Sequence, residues 1–220
     1  MSDLIDTTEM YLKVVYELEE QGQPALRARL AERLDQAMPS VSQTVSRLER
    51  DGLVVLDDNR IVELTESGRD IAVAVMRKHR IAERFLFDVL GLDWAACHDE
   101  ACRWEHVLGD EAEAKLVAML TNTDVDPYGN PIPGLSDTAI APRISGVPVS
   151  SVGEGFHTLV ALGESVQADH DLLLDCARAG IMPGAAVTVT GSSDRWSVEG
   201  PTGNVALRVH DAAQIFVAAD

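Results

Sequence analysis

The sequence predicts a mainly α-helical protein with small β parts: a winged helix-turn-helix, a helical middle region and a small C-terminal β-barrel. Three observations carry this prediction. Two short helical patterns with a Pro-containing break between them fill residues 26–50, and two apolar runs around a polar turn follow at 53–64. A long pattern, IAVAVMRKHRIAERFLFDVL, then has the broad apolar face of a buried helix. Beyond residue 155 the texture changes to short apolar runs separated by glycine and polar residues, as in a small antiparallel barrel.

Composition bounds what such a protein does. The 220 residues carry 36 acidic and 18 basic side chains, a net charge of −18. That excess of acid excludes a generally phosphate-coated surface, so contact with nucleic acid has to come from a local patch. Hydrophobic residues at 46% and charged ones at 25% are an ordinary globular mix, not a disordered one. The N-terminus lacks a basic segment followed by an apolar core, and no apolar run reaches the roughly 20 residues that span a bilayer. Neither a signal peptide nor a membrane partner is expected. The cysteines, Cys97, Cys102 and Cys176, are odd in number and form no Cys-x-x-Cys pair, which fits a reducing cytoplasm.

Along the chain, Met10, Val14 and Leu18 recur at i, i+4 and i+8 in a helix over 4–20 that Gln21-Gly22-Gln23-Pro24 ends. Met10 taken alone reads as core filler. Leu26, Leu30 and Leu34 give a short helix, residues 35–39 break it, and Val41, Val45 and Leu48 give a second. The second helix turns Ser40, Ser42, Gln43, Thr44, Ser46, Arg47 and Arg50 outward. Small hydroxyls and a glutamine permit close approach to base edges, and arginine reaches phosphate or guanine. Over 26–50 five arginines face three acids, a local +2 inside the acidic chain. An αα-hairpin with a solvated face fits the same pattern. The hairpin of Leu53–Leu56 and Ile61–Leu64 favours a winged helix, with Arg60 near its tip.

A helix from about 65 to 90 reads as a spine towards a dimer interface, with further helices over about 95–108 and 110–121. Residues 126–134 are irregular, and 136–155, rich in Ser, Pro, Gly and Ala, read as a linker. Five short strands are expected at 158–162, 186–190, 196–198, 205–209 and 215–217, with a helix near 169–179.

The chemistry concentrates in the middle region. His79 and Glu83 share a helix face at i, i+4, and His98, Cys102, Glu105 and His106 form a stripe on the next helix. A single His–Glu pair reads more simply as a hydrogen-bonded polar face. Two such faces on successive helices, one with a thiol, are the raw material of a transition-metal site. Cys97 and Cys176 read as packing. No His-Glu-x-x-His helix, phosphate loop or nucleophile elbow supports an enzyme, which leaves a metal-dependent hydrolase as the weakest alternative.

The segments DTTEMYL, LRARLAERLDQAMPSVSQTVSRLERDGLV, MRKHRIAER and HDEACRWEHV resemble the iron-dependent repressors of the diphtheria toxin repressor type. The resemblance is dense from residue 3 to about 134 and looser over 158–217. It implies a winged helix-turn-helix DNA-binding domain over 1–73, a helical metal-binding and dimerisation domain over 74–140, a linker over 141–153 and an SH3-like domain over 154–220. It further implies a primary metal site of Met10, Cys102, Glu105 and His106. An ancillary site of His79, Glu83 and His98 would be completed by Glu164 and Gln167. Arg80 and Asn130 match residues that hold an anion beside the ancillary metal, and Asp126 stands where the family has a serine or another small residue. Arg27, Ala28, Gln36, Ala37, Pro39, Ser40, Ser42, Gln43 and Arg50 match DNA-contacting positions, as does Arg60 in the wing. Ala37-Met38 replace the Ser-Gly usual before the proline.

The implied function is an iron-activated transcriptional repressor that binds operators of iron-homeostasis genes in double-stranded DNA. It would act as a homodimer joined through the helical domain, in the cytoplasm, with Fe(II) at two sites per chain. Co(II), Ni(II), Mn(II) or Zn(II) could substitute. A manganese-sensing repressor of the same fold is the alternative, and that branch has an Asp where Cys102 stands. Sulfur and imidazole donors favour iron over manganese.

Overall fold

The computed structural model describes residues 6–135, 144–192 and 195–219. The family resemblance also implies that Ser2–Asp6 steps aside from the DNA; of that segment only Asp6 lies among the described residues. Helix α1 (Thr7–Glu20) begins there, because the Asp6 side chain accepts a hydrogen bond from Thr8 N at 2.7 Å. Its Tyr11, Leu12, Val15 and Tyr16 are buried. Helices α2 (Arg27–Arg33) and α3 (Met38–Arg50) form the helix-turn-helix, with Asp35 at φ 48° in the turn. The wing is β1 (Val54–Leu56) paired antiparallel with β2 (Val62–Leu64), Val54 opposite Leu64. The Asp57 carboxylate accepts from Asn59 N and Ile61 N and ties its turn, which leaves Arg60 exposed at φ 63°.

Helix α4 (Glu66–Asp88) starts at Thr65, whose hydroxyl accepts from Gly68 N. Its 23 residues span about 35 Å. Ala72 and Met76 seal the core of the winged unit, and Ala82 and Leu86 belong to a second core further along. A Cβ on Gly68 would come within 1.9 Å of Leu53 O, so the wing and the spine pack this closely only with glycine there.

A 3₁₀ turn (Trp94–Ala96) leads into α5 (Cys97–Trp104), and α6 (Asp110–Val117) follows. Both helices are shorter than the sequence predicts. Val107 N and Leu108 N both bond back to Trp104 O, a tight turn ahead of Gly109. Glu105 and His106 therefore sit just past the helix rather than on its stripe. The irregular loop 126–131 is a fastener. Leu162 N bonds Tyr128 O at 2.9 Å, and Asn130 Nδ2 donates to Leu162 O at 2.9 Å.

The C-terminal unit is SH3-like and, among the described residues, has six strands where the sequence suggests five. β3 (Val147–Pro148) lies in the stretch read as a linker and pairs with the last strand. Val147 and Val149 alternate apolar in an otherwise Ser/Pro-rich segment, and Val149 is buried. Then come β4 (Gly155–Leu162), α7 (Glu164–Gln167), α8 (His170–Ala179), β5 (Ala186–Ser192), β6 (Arg195–Gly200), β7 (Gly203–Arg208), α9 (Val209–Ala212) and β8 (Ile215–Val217). The strand order is β3-β8-β4-β5-β6-β7. Strand β4 bends at a bulge between Leu159 and Ala161. Its first half pairs with β5 and its second with β8, which curls the sheet around one core. That core runs without interruption into Ala82, Leu86, Trp94, Ala101 and Tyr128 of the helical region.

Candidate metal centre

Helix α4 sends His79, Arg80 and Glu83 inward, all fully buried, onto α5 and α7. His79 Nε2 lies 2.8 Å from Glu83 Oε1 and 3.5 Å from Glu164 Oε2. His98 Nδ1 lies 3.0 Å from Glu83 Oε1 and 3.6 Å from Glu164 Oε2. One donor atom from each of His79, Glu83, His98 and Glu164 falls within 4.8 Å of the other three. His98 is positioned by Tyr128, whose hydroxyl accepts from His98 N at 3.1 Å and donates to Trp94 O at 2.7 Å.

The donor set fits a divalent cation. His79 Nε2, Glu83 Oε2, Glu164 Oε2 and Gln167 Oε1 are buried without a hydrogen-bond partner. Buried polar atoms are otherwise almost always satisfied, so four orphans in one cluster mark a place for a ligand. Gln167 Nε2 is spent on Leu162 O at 2.7 Å, which fixes the amide and leaves its oxygen free. Against the cost of burial, His79 and the Arg80 charge hold the Glu164 carboxyl well below its ordinary range, and the charge of His79 with hydrogen bonds from His79 and His98 lowers Glu83.

The residues expected to form a primary site are gathered differently. Met10, Cys102, Glu105 and His106 all line one cleft of about 770 Å³ between α1, α5 and the SH3-like unit. Among the described residues, Cys102, Glu105 and His106 do not converge on one point. Lys13 of α1 intervenes: its Nζ donates to Glu105 Oε2 at 2.7 Å and lies 3.3 Å from His79 Nδ1. Glu105 also meets His79 Nδ1 at 2.6 Å and His106 Nε2 at 3.2 Å. His106 Nδ1 faces Glu9 at 2.6 Å. Cys102 turns to His98 Nε2, 3.6 Å away. Against burial, the charge of His79 and hydrogen bonds to both histidines bring the Cys102 thiol down to about 6. Hydrogen bonds to Cys102 and Glu83 raise His98 to about 10 despite its burial.

Arg80 and Asn130, matched to an anion site, are engaged within the chain. Arg80 grips Glu20 with two bonds of 2.8 and 2.7 Å, donates to Glu164 at 3.0 Å and to Pro131 O at 2.5 Å, and stands 3.6 Å from Asp126. Asn130 Nδ2 donates to Asp126 at 2.9 Å. Burial and the Glu83 charge push the Asp126 carboxyl up to about 8.

Sequence reasoning missed Glu9, Lys13, Glu17, Glu20 and Tyr128. Glu9, Lys13, Glu17 and Glu20 lie on the face of α1 that carries Met10, a repeat near i, i+4 that signals a shared partner.

At the other end of the winged unit, Ala28, Ala37, Pro39, Ser40, Gln43, Arg50 and Arg60 are exposed, and Arg27 and Ser42 are half-buried. Gln36 is turned inward, accepting from Tyr11 OH at 2.6 Å.

Residues 3–62 match the family described as iron dependent repressor, N-terminal DNA binding domain, and residues 65–134 match its metal binding and dimerisation domain. The chain is 49% identical over 215 residues to the iron-dependent repressor IdeR of Mycobacterium leprae, covering 94% of this chain and 90% of the relative. It is 48% identical over 195 residues to the diphtheria toxin repressor of Corynebacterium diphtheriae, covering 86% of each. Among solved structures, a manganese-dependent transcriptional repressor in complex with manganese aligns with a TM-score of 0.81 at 30% identity, over 97% of this chain and 100% of that one. No helix among the described residues is long and apolar enough to cross a membrane. The chain belongs to the iron-dependent repressor family, metal-dependent transcriptional repressors with an N-terminal DNA-binding domain and a metal-binding and dimerisation domain.

Proposed function

We propose that the protein is an iron-activated repressor of iron-homeostasis genes that binds operator DNA as a homodimer and holds Fe(II) at two sites per chain. In this reading residues 1–73 contact DNA, 74–140 hold metal and the second copy, and 154–220 lend Glu164 and Gln167. The observation that carries it is the convergence of His79, Glu83, His98 and Glu164 with four orphaned buried atoms. His79, Glu83, His98, Glu164 and Gln167 would hold the ancillary ion, and Met10, Cys102, Glu105 and His106 the primary one. A bound divalent ion supplies positive charge and a fixed geometry for donors from separate elements. Met10 comes from α1, which packs inside the winged unit, whereas Cys102, Glu105 and His106 belong to α5 and the turn after it. Joining them fixes α1, and with it the recognition helix α3, relative to the spine α4. Two winged units of a dimer then match successive major grooves. The exposed Ala37, Pro39, Ser40 and Gln43 at the start of α3 would meet base edges. Arg27, Arg50 and Arg60 would meet phosphates.

A manganese-sensing repressor is the second reading, favoured by the likeness to a manganese-dependent repressor. Cys102 argues against it, because thiolate suits iron better than manganese. The test is anaerobic binding to DNA from upstream of its own gene and of iron-uptake genes, with Fe(II), Mn(II) or chelator. Fe(II) should promote binding and chelator abolish it. A stronger response to Mn(II) at cellular concentrations selects the second reading, and no response to either metal overturns both.

A further inference from the structure

The residues matched to an anion site have no donor left for an anion. Arg80 is fully buried, and its guanidinium is spent inside the chain. It gives Glu20 bonds of 2.8 and 2.7 Å, Pro131 O one of 2.5 Å and Glu164 one of 3.0 Å, while its Nε lies 3.3 Å from Glu164 and 3.6 Å from Asp126. Both donors of the Asn130 amide are taken as well, by Asp126 Oδ2 and Leu162 O, each at 2.9 Å. What Asn130 leaves over is Oδ1, a buried acceptor without a partner, which repels an anion. Asp126 is the residue that closes the set. It is buried, its Oδ1 accepts from Tyr128 N at 2.7 Å and Asn130 N at 2.9 Å, and its Oδ2 holds the Asn130 amide and faces Arg80.

We propose that the chain carries its own anion: the Asp126 carboxylate fills the place between Arg80 and Asn130, and the ancillary metal centre needs no free sulfate- or phosphate-like ion. This rests on the metal reading of His79, Glu83, His98 and Glu164. Charge points the same way. A divalent ion and Arg80 would face the carboxylates of Glu20, Glu83, Glu164 and Asp126, so a free dianion would be buried among like charges. The ion's charge favours the ionised form of Asp126, against the burial and the Glu83 charge that push it up to about 8 in the metal-free chain. A serine at 126 could accept from the same backbone N–H groups, but it would bring no charge and would leave room beside Arg80. The Asn130 amide that Asp126 grips also holds Leu162 O, to which Gln167 Nε2 donates at 2.7 Å. A built-in carboxylate therefore keeps the SH3-like unit seated whatever anions the solution contains.

Equilibrium dialysis of the full chain against labelled sulfate tests this, on metal-free and anaerobically Fe(II)-loaded protein, with Fe(II) affinity at the ancillary site titrated in the same buffers. Wild type should retain no more sulfate than Asp126→Asn, and added sulfate should change its ancillary affinity by less than about twofold. Asp126→Ser should retain extra sulfate, bind the ancillary ion roughly tenfold more weakly without sulfate and recover with it. Asp126→Asn keeps the size of the side chain, so it should show the same loss without recovery, and it carries the test if serine unsettles the loop. Wild-type iron binding that tightens several-fold in sulfate overturns the proposal, and so does an Asp126→Asn chain with undiminished affinity. A wild type that binds no ion at this cluster defeats the metal reading instead. The dialysis then decides alone: equal retention of sulfate by wild type and Asp126→Ser overturns the proposal.

Discussion

Two clusters of metal-type ligands lie side by side in this chain and are held in opposite ways. His79, Glu83, His98 and Glu164 point at one another with unsatisfied atoms, while Arg80 holds only the outer oxygen of Glu164. Met10, Cys102, Glu105 and His106 are spread along a cleft, with Glu105 bonded to Lys13 and His106 to Glu9. The first draws on α4, α5 and α7, which share one continuous core. The second draws on α1 as well, which belongs to the other core. A cluster inside one packed body is preorganised for its ion; a cluster split between two bodies has to be assembled, and its assembly can move something. In the proposed reading, the ancillary cluster serves occupancy and the primary cluster coupling.

The largest expected effect comes from removing the residue both clusters touch. His79→Ala should weaken metal binding by roughly 100-fold or more, as read by isothermal titration, and abolish metal-dependent DNA binding. Next is the buried ion pair that anchors α1 to α4 and α7. Glu20→Ala leaves Arg80 without its two-bond partner and should cost about 3–5 kcal/mol in urea denaturation. Lys13→Met sharpens the contrast from the other side. It frees Glu105 from a charged hydrogen bond and should tighten the primary site about tenfold, with a smaller gain at the ancillary site because Lys13 also stands 3.3 Å from His79 Nδ1. The clusters also differ in protons. His98 is held up to about 10 in the metal-free protein, so its ring carries a proton at neutral pH that a metal must expel. Metal affinity should therefore rise with pH between 7 and 9, with about two protons released per ancillary ion when buffers of different ionisation heat are compared. In the metal-free protein the same raised group stabilises the fold fully below about 6.5, a contribution lost as pH rises through 10. The smallest effect is at the contact between α2 and the SH3-like unit. Gln214→Ala removes a 3.4 Å bond from Arg33 and should change stability by less than about 1 kcal/mol.

How much of this was legible in the sequence follows the same division. The helix-turn-helix and wing were readable because Val41, Val45 and Leu48 repeat at helical spacing and all three are buried. His79 and Glu83 were readable because i, i+4 on one helix is fixed geometry. Glu164 and Gln167 came only from resemblance, since nothing local ties a four-residue helix in the SH3-like unit to residues some 80 positions earlier. Lys13 and Glu17 were passed over because charges on a helix usually face water, and only the tertiary fold buries them. The extra strand at 147–148 was hidden by a composition that reads as linker, and its partner is 70 residues away at Val217. The carboxylates around Arg80 were unreadable for the same reason, because Glu20, Asp126 and Glu164 come from three separate elements.

The central claim is that Met10 converts metal occupancy into a fixed winged unit. It is tested most directly by Met10→Ala, with Fe(II) binding and affinity for DNA upstream of its own gene measured on the same anaerobic sample. The account predicts that iron still binds while the iron-induced gain in DNA affinity falls by roughly 10-fold or more, a coupling loss of ordinary size. An unchanged gain in DNA affinity would contradict it.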